Sequence, residues 1–172
     1  MSKIVLVTGG ARSGKSRFAE ELAEEFPPQR GYLATSEARD DEMAARISRH
    51  RARRGDGWVT VEEPIDVTVA LRANDGLFSV TLVDCITLWI SNILFKEGAE
   101  AVLPRVAELA ASFPTLATPL VIVTNEVGMG IVPEHPLART FRDLAGEANE
   151  MLAAKAGEVY VTISGLPLKL KG

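Results

Sequence analysis

Residues 3–16 read KIVLVTGGARSGKS, an apolar run rich in β-branched residues that stops at glycines and enters the pattern Gly9-x-x-x-x-Gly14-Lys15-Ser16. Few turns constrain a fold so tightly. The spacing describes a phosphate-binding loop between a strand and a helix. Gly9, Gly10 and Gly14 permit a turn in which successive backbone N–H groups point inward, where side chains would block a polyphosphate. Lys15 can then reach the β and γ phosphates, the Ser16 hydroxyl can ligate Mg²⁺, and the new helix adds the positive end of its dipole. The strand Ile4-Val5-Leu6-Val7 before the loop and the helical pattern Phe18, Ala19, Leu22, Ala23 after it supply the context that the motif requires.

Short apolar runs alternate with helical stretches along the rest of the chain. The patterning predicts strands near 4–8, 31–35, 58–62, 79–84, 120–124 and 158–163, with helices near 15–25, 41–53, 65–72, 86–96, 100–112 and 137–155. That alternation implies an α/β phosphate-loop NTPase fold, a mostly parallel sheet with helices on both faces. The Val/Ile/Leu character of Val80–Val83 and Leu120–Val123 is what strands buried on both faces need, so these two are expected at the centre. The 172 residues, 47% of them hydrophobic, suit one domain over 1–172. A chain of that size buries on the order of 70% of its unfolded surface.

Charge and cysteine content exclude several classes. The net charge of −4 gives the whole chain no electrostatic reason to coat nucleic acid or a membrane. Cys85 is the only cysteine, so neither an internal disulfide nor a multi-cysteine metal site is available, and a buried, small apolar role is expected for it. No apolar run approaches the roughly 18 residues of a membrane span, and the first residues lead straight into a core strand. The expected location is the cytoplasm.

In such sheets the ligand sits beyond the carboxyl ends of the strands. The residues closing each strand are therefore the candidates: Thr8-Gly9, Ala34-Thr35-Ser36, Glu62-Glu63, Asp84 and Thr124-Asn125-Glu126. Asp84 is placed either to hold the water shell of Mg²⁺ or to cap the helix that follows it. Residues 40–54, DDEMAARISRHRARR, place acids early and arginines late on a helix, in agreement with its dipole and with a solvated surface helix. His50, one turn from Arg46 and Arg54, departs from that pattern. It is either an exposed residue near a basic patch or a nucleophile toward phosphorus, with guanidinium groups stabilising the added charge. His135, between Pro133 and Pro136, reads as structural or as a loop contact. Glu126 could position a hydroxyl or base, or hold the N–H groups of the following glycine loop.

Taken together, TGGARSGKSRFAEELA, YLATSEARDDEMAARISRHRARR and VTNEVGMGIVPEHPLARTFRDLAGEANEMLA resemble the bifunctional adenosylcobinamide kinase and adenosylcobinamide-phosphate guanylyltransferase family of cobalamin assembly. The likeness spans nearly the whole chain. It implies two reactions: a nucleoside triphosphate, ATP or GTP, phosphorylates the aminopropanol hydroxyl of adenosylcobinamide; GTP then passes its guanylyl group through a histidine to the new phosphate. The residue matching the guanylylated histidine is His50. The implied nucleotide contacts fall on Gly9, Gly10, Ala11, Arg12, Ser13, Gly14, Lys15 and Ser16, on Ala34, Thr35 and Ser36, on Arg51, Ala52, Arg53 and Arg54, and on Glu62 and Asp84, with Ser16 and Asp84 holding Mg²⁺. The resemblance also favours a homo-oligomer, a trimer, with the site near a subunit interface. Arg49 stands where relatives can carry histidine, which argues against a mechanism needing a histidine pair.

Two other readings compete with this one. A simpler phosphate-loop kinase would use His50 only as a substrate contact, and a GTP-dependent binding module would hydrolyse slowly and signal to a partner. Only the transferase requires a covalent nucleotide.

Overall fold

The structure is a computed structural model in which residues 2–37 and 54–172 are described. The helix expected over 41–53, with His50, Arg51, Ala52 and Arg53, lies outside the described residues. The described strands and α-helices are β1 (Ile4–Gly9), α1 (Lys15–Glu24), β2 (Arg30–Ala34), β3 (Trp58–Glu62), α2 (Val67–Ala73), β4 (Thr81–Asp84), α3 (Ile86–Lys96), α4 (Ala99–Ser112), β5 (Leu120–Val123), α5 (Pro136–Lys155), β6 (Glu158–Ile163) and β7 (Leu166–Lys171), with a 3-10 turn at Phe113–Thr115.

The strands form one seven-stranded sheet in the order β3-β2-β4-β5-β1-β6-β7. Every pairing is parallel except β6 with β7. β4 and β5 are interior, as their apolar runs require, and alternate residues feed two separate cores. Ile4, Leu6, Leu33, Val83, Leu120 and Ile122 face α2 to α5, while Val5, Val7, Tyr32, Ala34, Leu82, Val121 and Val123 face α1. Helices on both faces of a parallel sheet satisfy the period-two side-chain geometry of strands that have no solvent face.

The two faces are filled differently. On one, α3 inserts Ile86, Trp89, Ile90 and Ile93 at helical spacing, and the Trp89 indole N–H donates to the Ile65 carbonyl at 2.7 Å. On the other, α1 offers Ala19 and Ala23, small residues that let the helix lie close to the strands.

The patterning missed one element. Ser164 and Gly165 both have positive φ, 53° and 82°, and turn the chain from β6 into the antiparallel edge strand β7. A Ser-Gly pair flanked by alternation was the available signal for this hairpin. Pro167 is tolerated on β7 because an edge strand leaves one row of donors unpaired.

Candidate nucleotide site

Parallel register gathers the expected residues along one edge. Glu62 pairs with Ala34, Ala34 with Asp84, Asp84 with Val123, and Val123 with Val7, so one row crosses β3, β2, β4, β5 and β1 just before the phosphate loop begins. Residues distant in sequence thus end at the same height because each strand runs the same way.

The loop itself rises from Gly9 to the cap of α1. Gly9 cannot carry a side chain: a Cβ would lie 2.6 Å from both Ser13 Oγ and Thr162 Oγ1. Gly14 takes the cap position with φ of 94°, and no side chain caps the first N–H groups of α1. Gly10, Ala11 and Arg12 form the exposed rim, while Ser16 is half-buried in the first helical turn. Lys15 is buried, with its ammonium donating to the Gly10 carbonyl at 3.1 Å. Such an arrangement offers backbone donors, a helix N-terminus and one fixed cation to an anionic ligand.

The missed hairpin braces that loop. Ser13 Oγ and Thr162 Oγ1 share a hydrogen bond of 2.8 Å, and the Gly165 N–H donates to the Ser13 carbonyl at 2.8 Å. Thr162 Oγ1 also donates to the Thr8 carbonyl at 3.3 Å. Thr162 and Gly165 were not among the sequence candidates.

Asp84 ends β4, one strand from β5 and two from the loop strand. Its capping role does not hold: the cap of α3 is Cys85, and Asp84 Oδ2 instead accepts a hydrogen bond of 2.9 Å from the Tyr32 hydroxyl. Burial first, and then the neighbouring Asp84 charge, push the Tyr32 phenol far above its ordinary range, so it stays a proton donor. Arg54 lies with its guanidinium carbon 3.3 Å from the Tyr32 ring centroid. Thr35 is fully buried, its hydroxyl donating to the Cys85 carbonyl and accepting from the Cys85 N–H. Glu62 is exposed at the end of β3, whereas Glu63 accepts the Ile65 and Asp66 N–H groups and serves a turn.

Cys85 is buried, as expected, and burial raises its thiol to about 11 with the Asp84 charge adding to the shift. The nearby Lys15 charge acts in the opposite direction. Asn125 donates to Thr87 Oγ1, and its backbone carbonyl accepts from Asn149 at 3.1 Å. Glu126 follows the second of its two readings: Oε1 accepts the Gly128 N–H at 2.8 Å, and its own N–H donates to the Gly9 carbonyl at 3.0 Å. His135 is structural, capping α5 through Nδ1 with Leu137 N–H as donor.

The donors present suit a hard cation. Magnesium keeps several waters and takes one or two protein oxygens with substrate phosphates, and a hydroxyl at Ser16 with a carboxylate at Asp84 is such a set. Among the described residues no group of three or more His, Cys, Asp or Glu could hold a metal, so no all-protein cage is assembled there.

The chain matches the family described as cobinamide kinase / cobinamide phosphate guanyltransferase over residues 5–170. It is 44% identical to the bifunctional adenosylcobalamin biosynthesis protein CobU of Escherichia coli, covering 98% of this chain and 99% of that one. It is 41% identical to the bifunctional adenosylcobalamin biosynthesis protein CobP of Pseudomonas aeruginosa, covering 97% and 96%. Among solved structures, the P4 protein of bacteriophage phi13 superposes with a TM-score of 0.53 at 17% identity, over 97% of this chain and 53% of the phage chain. The P4 protein of bacteriophage phi6 in complex with ADP gives 0.50 at 15% identity, over 96% and 52%. This chain spans about half of either phage protein, and the likeness shows the α/β phosphate-loop fold.

Proposed function

The chain belongs to the cobinamide kinase / cobinamide phosphate guanyltransferase family, and from that premise we propose how its residues divide the two reactions. It is a bifunctional kinase and guanylyltransferase of adenosylcobalamin biosynthesis. In the first reaction the aminopropanol hydroxyl oxygen of adenosylcobinamide attacks the γ-phosphorus of ATP or GTP, the bond to the nucleoside diphosphate breaks, and the hydroxyl proton is released. In the second, a ring nitrogen of His50 attacks the α-phosphorus of GTP and pyrophosphate leaves. A phosphate oxygen of adenosylcobinamide phosphate then attacks that phosphorus, the nitrogen–phosphorus bond breaks, and adenosylcobinamide-GDP forms with His50 restored.

Gly9 to Ser16 are assigned to the polyphosphate, with Lys15 balancing charge on the β and γ phosphates. Ala34, Thr35, Ser36 and Glu62 are assigned to the remainder of the nucleotide, and Arg51, Ala52, Arg53 and Arg54 to the segment that brings His50 to it. Ser16 and Asp84 would hold Mg²⁺, which when bound neutralises charge on the departing phosphates. The observation that carries the reading is the braced phosphate loop with the Asp84 carboxylate two strands away, in a chain that matches the family over residues 5–170. A homotrimer in the cytoplasm belongs to the same proposal. The exposed Leu166, Leu168 and Leu170 on β7 offer apolar surface for subunit contact, and sedimentation equilibrium measures the assembly. No helix among the described residues is long and apolar enough to cross a membrane.

The test uses GTP labelled at the α or the γ phosphate. Purified protein incubated with Mg²⁺ and denatured should retain α label that is acid-labile and alkali-stable, and His50→Ala should retain none. Equal α label in the variant removes His50 from the mechanism; no label in either protein favours a simple kinase.

A further inference from the structure

Tyr32 touches two residues that the proposed function assigns to the nucleotide, and it was not itself among the candidate site residues. It sits on β2 facing α1, packed in the layer of Ala19, Ala23, Leu82 and Val121, and only 6% exposed. An aliphatic residue would fill that layer. Only an aromatic side chain with a terminal donor can also reach forward along the sheet, and Tyr32 is bonded to Asp84 Oδ2 while pairing in register with Leu82. The opposite interaction uses the ring face. The guanidinium of Arg54 stacks on it at 3.3 Å, and Arg54 Nη1 is buried without a hydrogen-bond partner among the described residues.

A buried tyrosine usually finds some hydroxyl partner, so a hydrogen bond alone would be ordinary packing. Two features exceed that. The acceptor is the strand-end carboxylate that the proposed function assigns to the metal, and fixing one oxygen of it determines where the other points. The stacked group is a cation whose planar fork suits bidentate anion recognition, held by a ring that keeps its plane fixed.

We propose that Tyr32 is a positioning residue for the nucleotide site: its hydroxyl orients the Asp84 carboxylate on the metal side, and its ring orients the Arg54 guanidinium toward the anionic ligand. This rests on the assignment of Asp84 and Arg54 to the nucleotide. One buried side chain thereby aligns the parts used by both reactions, and its two functions separate by chemistry, since phenylalanine retains the ring and leucine retains neither.

The experiment measures equilibrium binding of a non-hydrolysable fluorescent GTP analogue to the full-length protein, in Mg²⁺ and in EDTA, with melting curves to confirm folding. Tyr32→Phe should weaken binding in Mg²⁺ about tenfold while staying within about twofold of wild type in EDTA, the scale expected for a lost hydrogen bond to a charged group. The double variant Tyr32→Phe/Asp84→Asn should bind like Asp84→Asn alone. Tyr32→Leu should also lose affinity in EDTA, because Arg54 acts on the anion without metal, and adding Arg54→Ala to it should change nothing further. Equal penalties for Tyr32→Phe in Mg²⁺ and EDTA, or additivity with Asp84→Asn, would reduce Tyr32 to core packing and overturn the proposal. Wild-type Mg²⁺ dependence in Asp84→Asn itself would instead overturn the assignment of Asp84, and with it the metal arm.

Discussion

The two faces of the sheet use one backbone for different ends. The face covered by α3, α4 and α5 is closed by bulky residues, among them Trp89, Ile90, Ile93, Leu109 and Leu152, and none of the buried residues on these three helices is titratable. The α1 face is thinner, and its buried set includes Lys15, Glu20 and Tyr32 among alanines and valines. Burying charge and hydroxyl groups costs stability unless partners are supplied, so a fold concentrates them where they serve a ligand. The contrast suggests that one face holds the sheet together while the other presents its edge to phosphate.

That division is testable by where a substitution registers. Trp89→Ala should have the largest effect, about 3–5 kcal/mol of lost stability for removing a large core side chain. Denaturant unfolding should show it as a lower midpoint, with nucleotide affinity near wild type in the folded fraction. A deficit confined to nucleotide binding would break the comparison. Lys15→Ala should behave inversely: a fall of about 10²–10³-fold in turnover of both reactions, on the scale of removing one transition-state charge partner. Its melting temperature should change little, and normal turnover would remove the phosphate-loop assignment.

Thr162→Val sharpens the comparison at the boundary. The substitution keeps volume and deletes the hydroxyl that joins β6 to Ser13 and Thr8. Leaving the buried Ser13 hydroxyl with one partner fewer should cost about 1–3 kcal/mol. Nucleotide affinity should fall several-fold along with stability, because the same bond braces the loop. Loss of stability alone would mean that the hairpin supports the sheet and not the phosphate site.

What could be read from the sequence was what is local in it. The phosphate loop is coded within eight consecutive residues, and both central strands were recognisable from uninterrupted apolar runs. The contacts that organise the site are not local. Tyr32 and Asp84 are 52 residues apart and Ser13 and Thr162 are 149 apart, and both pairs meet only through strand order and register. Asp84 at a strand end suited a cap or a metal ligand, and the geometry removes the cap, since Cys85 holds that position and Asp84 Oδ2 accepts from Tyr32. Glu126 was equally ambiguous until Gly128 was found donating to it. β7 was overlooked although Ser164-Gly165 marked its turn, because the alternation of leucine with proline and lysine is weak evidence for a strand at a sheet edge.

The smallest effect should come from the solvent side of the β6–β7 hairpin. Glu158 accepts from Tyr160 at 2.7 Å and lies 3.1 Å from Lys3 and 3.3 Å from Lys169. The Tyr160 hydrogen bond first, then Lys3, hold its carboxyl down to about 2 from the ordinary 4.5. A carboxyl depressed on folding stabilises the native state at pH values above its unfolded value, and that contribution fades as pH falls through 4.5 toward 2. The carboxyl is partly exposed and its two lysine partners are exposed, so screening limits its net contribution to at most about 1 kcal/mol. Wild type should melt slightly above Glu158→Gln at pH 7, the gap should narrow below pH 4.5, and added salt should reduce it at pH 7. Because the hairpin reaches the phosphate loop through Thr162 on β6 and Gly165 in its turn, nucleotide affinity discriminates between its two ends. Glu158→Gln should leave affinity at the wild-type level while Thr162→Val lowers it, and an equal loss in both would mean that the hairpin acts as one rigid support, with no boundary between structural and functional ends.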